Sequence, residues 1–140
     1  MMRVVIEGKL PQIGRAMQLV DEFRKHHGLA ERDANAVSVV LDEILSNSIR
    51  YGLADAGKHQ ISVTLDYAGN EITVEIEDDG IAYDPTQAPA PVLAGTLMER
   101  KPGGLGIAFV RAFTDSIEYR RVSERNHLTL RRRVVREGAA

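Results

Sequence analysis

Cysteine and tryptophan are absent from this chain, and the aromatic share is only 5%. Without cysteine there is no disulfide, no thiolate metal site and no cysteine nucleophile, which accords with a reducing compartment. No apolar run approaches the roughly 18 residues that a membrane span needs. The opening MMRVVIEGKL has too short an apolar core, and no small-residue cleavage site, for a secretory signal. The cytoplasm is therefore the expected compartment. A net charge of −2 gives no global attraction to nucleic acid. What is present is ordinary: 140 residues, 44% hydrophobic and 27% charged, the profile of one soluble globular domain, 1–140, large enough to bury a core.

The most informative stretch is Val37 to Gly52, VSVVLDEILSNSIRYG. Val37, Val40, Leu41, Ile44 and Leu45 recur at helical spacing and predict one buried stripe. Glu43 and Asn47 fall together at the edge of that stripe, four residues apart, where a packed helix can still present side chains to a cleft. An ordinary solvated Glu and Asn is the alternative reading of that pair alone.

The remaining elements follow in order. Arg3 to Glu7 predicts a strand, and Pro11 starts a helix whose buried face is Ile13, Ala16, Met17, Val20 and Phe23, with Gly28 as its stop. His26 and His27 point about 100° apart on that helix and have no third ligand nearby in sequence, which disfavours a metal. Ile61, Val63, Leu65 and Tyr67, then Ile72, Val74 and Ile76, alternate on either side of Ala68-Gly69-Asn70, a hairpin with one buried face. It runs into Glu77-Asp78-Asp79-Gly80. A carboxylate at a strand end beside a glycine suits recognition of a polar heterocycle, and a solvated turn is the alternative.

Residues 82–102 carry four of the five prolines and are too long for a passive connection, so they read as a lid, with one helical turn at Leu93 to Glu99. Gly103-Gly104-Leu105-Gly106-Ile107 then opens a helix carrying Leu105, Ala108, Phe109, Ala112 and Phe113. Glycines at a helix start expose backbone N–H groups to an anion such as phosphate. This is neither a Walker A loop nor a dinucleotide fingerprint. Ser116 to Arg121 and His127 to Val135 read as a second hairpin, with Arg131-Arg132-Arg133 as the charge of an edge strand.

Taken together, E-x-x-x-N on a helix, D-x-G after a strand and G-x-G at a helix start resemble the GHKL ATP-binding superfamily, and within it the small anti-sigma-factor serine/threonine kinases. The resemblance covers nearly the whole chain. Glu43 to Asn47 resembles the N box. Asp78 to Pro85 resembles the first glycine box with the D-P ending of the anti-sigma branch, and Gly104 to Ile107 resembles the second. The resemblance implies that Asn47 holds Mg²⁺, that Asp78 accepts from the adenine amino group of ATP within a pocket including Gly80 and Ala82, and that Gly104, Leu105, Gly106 and Ile107 contact phosphates. It implies an adenine-side hydrogen bond for Thr129. Two positions depart from the pattern: Ala82 where many relatives have glycine, and Tyr51 where others have histidine.

Physical chemistry fits these roles. Mg²⁺ takes few protein oxygens when phosphates supply the rest. Glu43, one turn before Asn47, is placed to act as general base. Lys101, with Arg100, is a candidate γ-phosphate contact, a solvated pair being the alternative. The expected fold is an α/β two-layer sandwich, a mixed, mainly antiparallel sheet with helices on one face, the Bergerat arrangement. The expected activity is ATP-dependent phosphorylation of a STAS-type anti-anti-sigma protein. The resemblance also admits direct binding of a sigma factor, and a homodimer. No direct nucleic-acid or membrane contact is expected. Two rivals are a non-catalytic, nucleotide-gated binding module and the ATPase part of a histidine kinase, the latter disfavoured because no phosphoacceptor helix pair precedes the domain.

Overall fold

The computed structural model describes residues 1–53, 57–87 and 106–135. The β-branched start becomes β1 (Met2–Glu7). Pro11 lies in a single 3-10 turn, Leu10–Gln12, which feeds α1 (Ile13–His27). Gly28 ends that helix in the left-handed region, at φ 63°, where a side chain is unfavourable. Next come α2 (Glu31–Asn47), β2 (Gln60–Ala68), β3 (Glu71–Asp78), α3 (Gly106–Phe113), β4 (Ser116–Val122) and β5 (Arg125–Arg133).

The five strands form one sheet in the order β1-β2-β3-β5-β4, and all four pairings are antiparallel. Gly69 and Asn70, at φ 59° and 60°, make the two-residue turn that sets Ala68 opposite Glu71. That register puts Ile61, Val63, Leu65, Ile72, Val74 and Ile76 on one face, each at most 4% exposed. The helices cover this face: α1 lies against β1 and β2, and α2 against α1 and α3. Val37 and Val40 of α2 meet Val74 and Leu130 of the sheet around a gap of only about 10 Å³. Leu41, Ile44 and Leu45 are essentially inaccessible, and such burial contributes about 1.5–3 kcal/mol per side chain. The expected sandwich is present, with its buried stripe on α2. No helix among the described residues is long and apolar enough to cross a membrane.

Three expectations are corrected. The arginine run is not on an edge strand, because β5 lies between β3 and β4. Arg132 instead turns to the helical side, where its Nε and Nη2 reach Asp33 Oδ1 at 3.1 Å and its Nη1 donates to Phe113 O at 2.9 Å. This links the first turn of α2 to the last residue of α3, each with the charge its helix end favours. Second, the core face of α3 is Ile107 and Val110, at 9% and 0% exposure, while Phe109 is half exposed. Third, the last hairpin turns at Ser123 and Glu124, both at positive φ, so β5 begins at Arg125 rather than His127. The predicted turn at Leu93 to Glu99 lies outside the described residues, as do Arg100, Lys101, Gly103, Gly104 and Leu105.

Candidate functional site

The site begins where α2 changes pitch. Asn47 is its last α-helical residue, and Ser48–Gly52 continues as a π turn in which Leu53 N–H reaches back to Ser48 O at 3.0 Å. Such wide turns recur at functional sites because they displace the following backbone from the helical path. Here the displaced backbone meets the end of β3. Gly52 O accepts from Ile81 N at 3.2 Å. A Cβ on Gly80 would collide with Leu53 Cδ2 and lie 2.6 Å from Gly52 O, so only glycine allows this approach.

Asn47 is 6% exposed, while Glu43 is half-buried beside it. Asn47 Nδ2 donates to Glu43 Oε1 at 2.9 Å. Since the carboxylate can only accept, the amide must face it with its NH₂ group, which turns Oδ1 elsewhere. That oxygen is buried with no hydrogen-bond partner among the described residues. An unsatisfied buried acceptor is unfavourable by about 1–3 kcal/mol. A hard cation that takes oxygen ligands satisfies it, so Asn47 fits the Mg²⁺ role. No cluster of three or more His, Asp or Glu among the described residues offers a separate metal site.

Asp78, 6% exposed, ends β3 with Oδ1 accepting from Gly80 N at 2.9 Å and from Asn126 Nδ2 at 2.8 Å. The first bond closes the turn after the strand. The second comes from a residue that the sequence did not bring to notice. Asn126 stands opposite Asp78 in the β3–β5 ladder and is itself only 5% exposed. Its Nδ2 also donates to Ile81 O at 2.7 Å. Its Oδ1 accepts from Tyr119 Oη at 2.6 Å, Arg121 Nη1 at 3.1 Å and Tyr83 N at 3.3 Å. Arg121 further donates to Gly80 O at 2.7 Å.

Tyr83 joins the two ends of the site. Burial pushes its hydroxyl pKa up, and the neighbouring Tyr51 and then Glu43 add to the shift. The rings of Tyr51 and Tyr83 lie 6.2 Å apart. Beyond it, Asp84 Oδ1 accepts from Thr86 N and Oγ1 at 2.9 and 2.6 Å, capping a 3-10 turn, Pro85–Gln87, while Arg111 of α3 donates to Thr86 O at 3.0 Å. The first residues of the predicted lid are therefore tied to α3.

Glu43, Asn47, Asp78 and Gly80 are thus gathered by the contact between the π turn and the end of β3, and Ala82 lies exposed just beyond. Gly106 is the first residue of α3, and the Ile107 side chain serves the core. Thr129 is not brought to this site. It pairs in register with Glu75 and Glu118, one residue out of phase with the buried Leu128 and Leu130, and so lies on the open face of the sheet. Asn126, by contrast, is in phase with Asp78 and hydrogen-bonded to it. A cavity of about 350 Å³ lined by Leu29, Asp33, Val134 and Val135 lies at the opposite end of α2 and includes none of these residues.

His26 and His27 stack edge to face at 4.8 Å, and His27 also meets Phe23 and Tyr67. Their surroundings are aromatic packing.

A helix bearing Glu-x-x-x-Asn set against the end of a central antiparallel strand accords with an ATP-binding domain of the GHKL type. Residues 6–132 match the model of the histidine kinase-like ATPase domain, and the chain belongs to that family. It is 37% identical over 94 residues to serine/threonine-protein kinase BtrW of Bordetella bronchiseptica, an alignment covering 67% of this chain and 66% of BtrW. The histidine kinase domain of the blue-light activated histidine kinase from Erythrobacter litoralis EL346 superposes with a TM-score of 0.51 at 12% identity, over 89% of this chain and 60% of that one. The second likeness concerns the fold. The first is with a serine/threonine kinase, in accord with the branch that the D-P ending resembles.

Proposed function

We propose that this chain is an ATP-dependent protein serine kinase of the anti-sigma type, acting in the cytoplasm on a STAS-type anti-anti-sigma protein and binding a sigma factor directly. The observation that carries the proposal is the Glu43–Asn47 pair, one carboxylate and one buried amide oxygen without a partner among the described residues, on a single helical turn. Similarity to a serine/threonine-protein kinase over two thirds of the chain supports it.

In this reading Asp78 accepts from the adenine amino group, and Gly80 lets the end of β3 pack closely against Gly52 and Leu53. Gly104 to Ile107 meet the phosphates at the start of α3, with Lys101 as a γ-phosphate contact. Asn47 Oδ1 would hold Mg²⁺, which supplies charge neutralisation of the phosphates when bound. Asn47 engages only Oε1 of Glu43, leaving Oε2 to take the proton of the incoming serine hydroxyl as that oxygen attacks the γ-phosphorus. The serine O–P bond forms, the bond to the ADP oxygen breaks, and positioning accounts for most of the acceleration.

The test is incubation with γ-labelled ATP, Mg²⁺ and a STAS-type protein. Label on an acceptor serine is the expected result. Tight ATP binding without transfer would favour a nucleotide-gated binding module, and label on histidine would favour a histidine kinase.

A further inference from the structure

We propose that the cavity at the far end of α2 from Glu43 and Asn47 is a second ligand site, and that it takes a free α-amino acid with an apolar side chain. None of its residues belongs to the nucleotide site, so it stands whether or not that reading does.

Its walls follow from the local fold. Gly28 turns the chain out of α1 in the left-handed region, and Leu29 N–H is tied back to Arg24 O at 3.0 Å. Beyond β5, Val134 N–H donates to Asn70 O at 2.7 Å, which fixes the outgoing strand as the facing wall. The space between measures about 350 Å³ and is lined by Leu29, Ala30, Arg32, Asp33, Val134 and Val135. That is within the size range of small-molecule clefts.

Asp33 sets the first polar requirement. It is 2% exposed, and Arg132 uses only its Oδ1, through Nε and Nη2 at 3.1 Å each. Oδ2 is buried with no partner among the described residues. An ionised carboxylate only accepts, so what this oxygen calls for is a donor. The start of α2 sets the opposite requirement. Ala30 is the N-cap and offers no side-chain acceptor, so the first-turn N–H groups and the helix dipole favour an anion there.

The two requirements lie within one turn of each other, and a singly charged ligand meets only one of them. A lone cation would also face the Arg32 guanidinium, which its bond from Nη2 to Val135 O at 2.6 Å holds at the same cavity. A lone anion would lie beside the Asp33 carboxylate. A zwitterion serves both, with its ammonium toward Oδ2 and its carboxylate at the helix start. Leu29, Val134 and Val135 then receive an apolar side chain, and Val135, 67% exposed, is the residue it would cover most.

Three probes titrated into the full chain by calorimetry test this: L-leucine, isocaproate, which lacks the ammonium, and isoamylamine, which lacks the carboxylate. Wild type should bind leucine at one site, at least roughly tenfold more tightly than either analogue, the scale of one charged hydrogen bond. In Asp33→Asn the amide oxygen stays with the Arg132 donors, so an NH₂ group replaces Oδ2. That variant should lose the preference for leucine over isocaproate while isocaproate binds as before. Ala30→Asp, at an exposed position, caps α2 with a carboxylate of its own. It should weaken leucine and isocaproate but not isoamylamine.

Circular dichroism confirms the fold of each variant. No saturable binding of leucine to wild type would overturn the proposal and leave an ordered water as the partner of Oδ2. Equal losses for all three probes in either variant would overturn it as well. Should Asp33→Asn not fold, Ala30→Asp with unchanged leucine affinity would do the same.

Discussion

Asn47 donates Nδ2 to Glu43 Oε1 at 2.9 Å across one turn of α2, and the same bond leaves its own Oδ1 buried and unpartnered among the described residues. In the proposed reading this one hydrogen bond serves two roles: it leaves Glu43 Oε2 to accept a proton, and it turns the amide oxygen of Asn47 toward a cation. The π turn that follows brings Gly52 and Leu53 against Gly80, so this pair and Asp78 belong to one site.

Asn47→Ala should therefore remove the magnesium-dependent part of ATP affinity, by at least roughly tenfold, and leave binding in the presence of a chelator nearly unchanged. Calorimetry with and without Mg²⁺ measures the difference. An unchanged magnesium effect would exclude Asn47 as a ligand.

The Arg132–Asp33 pair yields a prediction about stability. Asp33 is 2% exposed, and Arg132 supplies both of its contacts at Oδ1. Arg132→Met leaves that carboxylate buried without its cation and should destabilise the fold by about 3–5 kcal/mol. The double variant Asp33→Leu with Arg132→Met should recover most of the loss, because an apolar pair needs no compensation. Urea unfolding of the three proteins decides it, and a double variant no more stable than the single one would contradict this account.

A pH effect follows from the end of α1. Burial, then the neighbouring His26 and the N-terminal amine, lower the pKa of His27 below its ordinary value of 6.5, against the opposing pull of Asp66. The unfolded chain then binds a proton that the folded chain resists. His27 thus contributes stability that is present above about pH 6.5 and is lost as pH falls below it. Thermal unfolding across that range should show a smaller acid-side decline for His27→Gln. Identical slopes would remove His27 from the pH response.

Much of this was legible in the sequence, for reasons that differ between elements. The stripe from Val37 to Leu45 and the alternation from Ile61 to Ile76 are strong periodic signals, and Gly69-Asn70 is a turn whose chemistry is local. Glu43, Asn47, Asp78 and Gly80 could be named because they sit on such elements. Asn126 could not. Its hairpin turns on Ser123 and Glu124, residues with little preference for positive φ, so the strand seemed to begin one position after it. Thr129 comes only from the family resemblance, and the pairing with Glu75 and Glu118 sets it on the open face of the sheet. Strand order was equally hidden, because β5 inserts beside β3 by long-range pairing, and Arg131 to Arg133 look like an edge only when that pairing is unknown. On α3, Ala108, Phe109 and Ala112 competed with Ile107 and Val110 for the buried face, and the short helix has apolar residues on more than one side.

The central claim is that Glu43 performs base chemistry, and Glu43→Gln measures it most directly. Glutamine keeps the size and can still accept the Asn47 bond through its amide oxygen, but it cannot take a proton from serine. ATP affinity should stay within the error of calorimetry, while the rate of phosphate transfer to the STAS-type acceptor falls by about 10²- to 10⁴-fold. Transfer at the wild-type rate by Glu43→Gln would contradict the account.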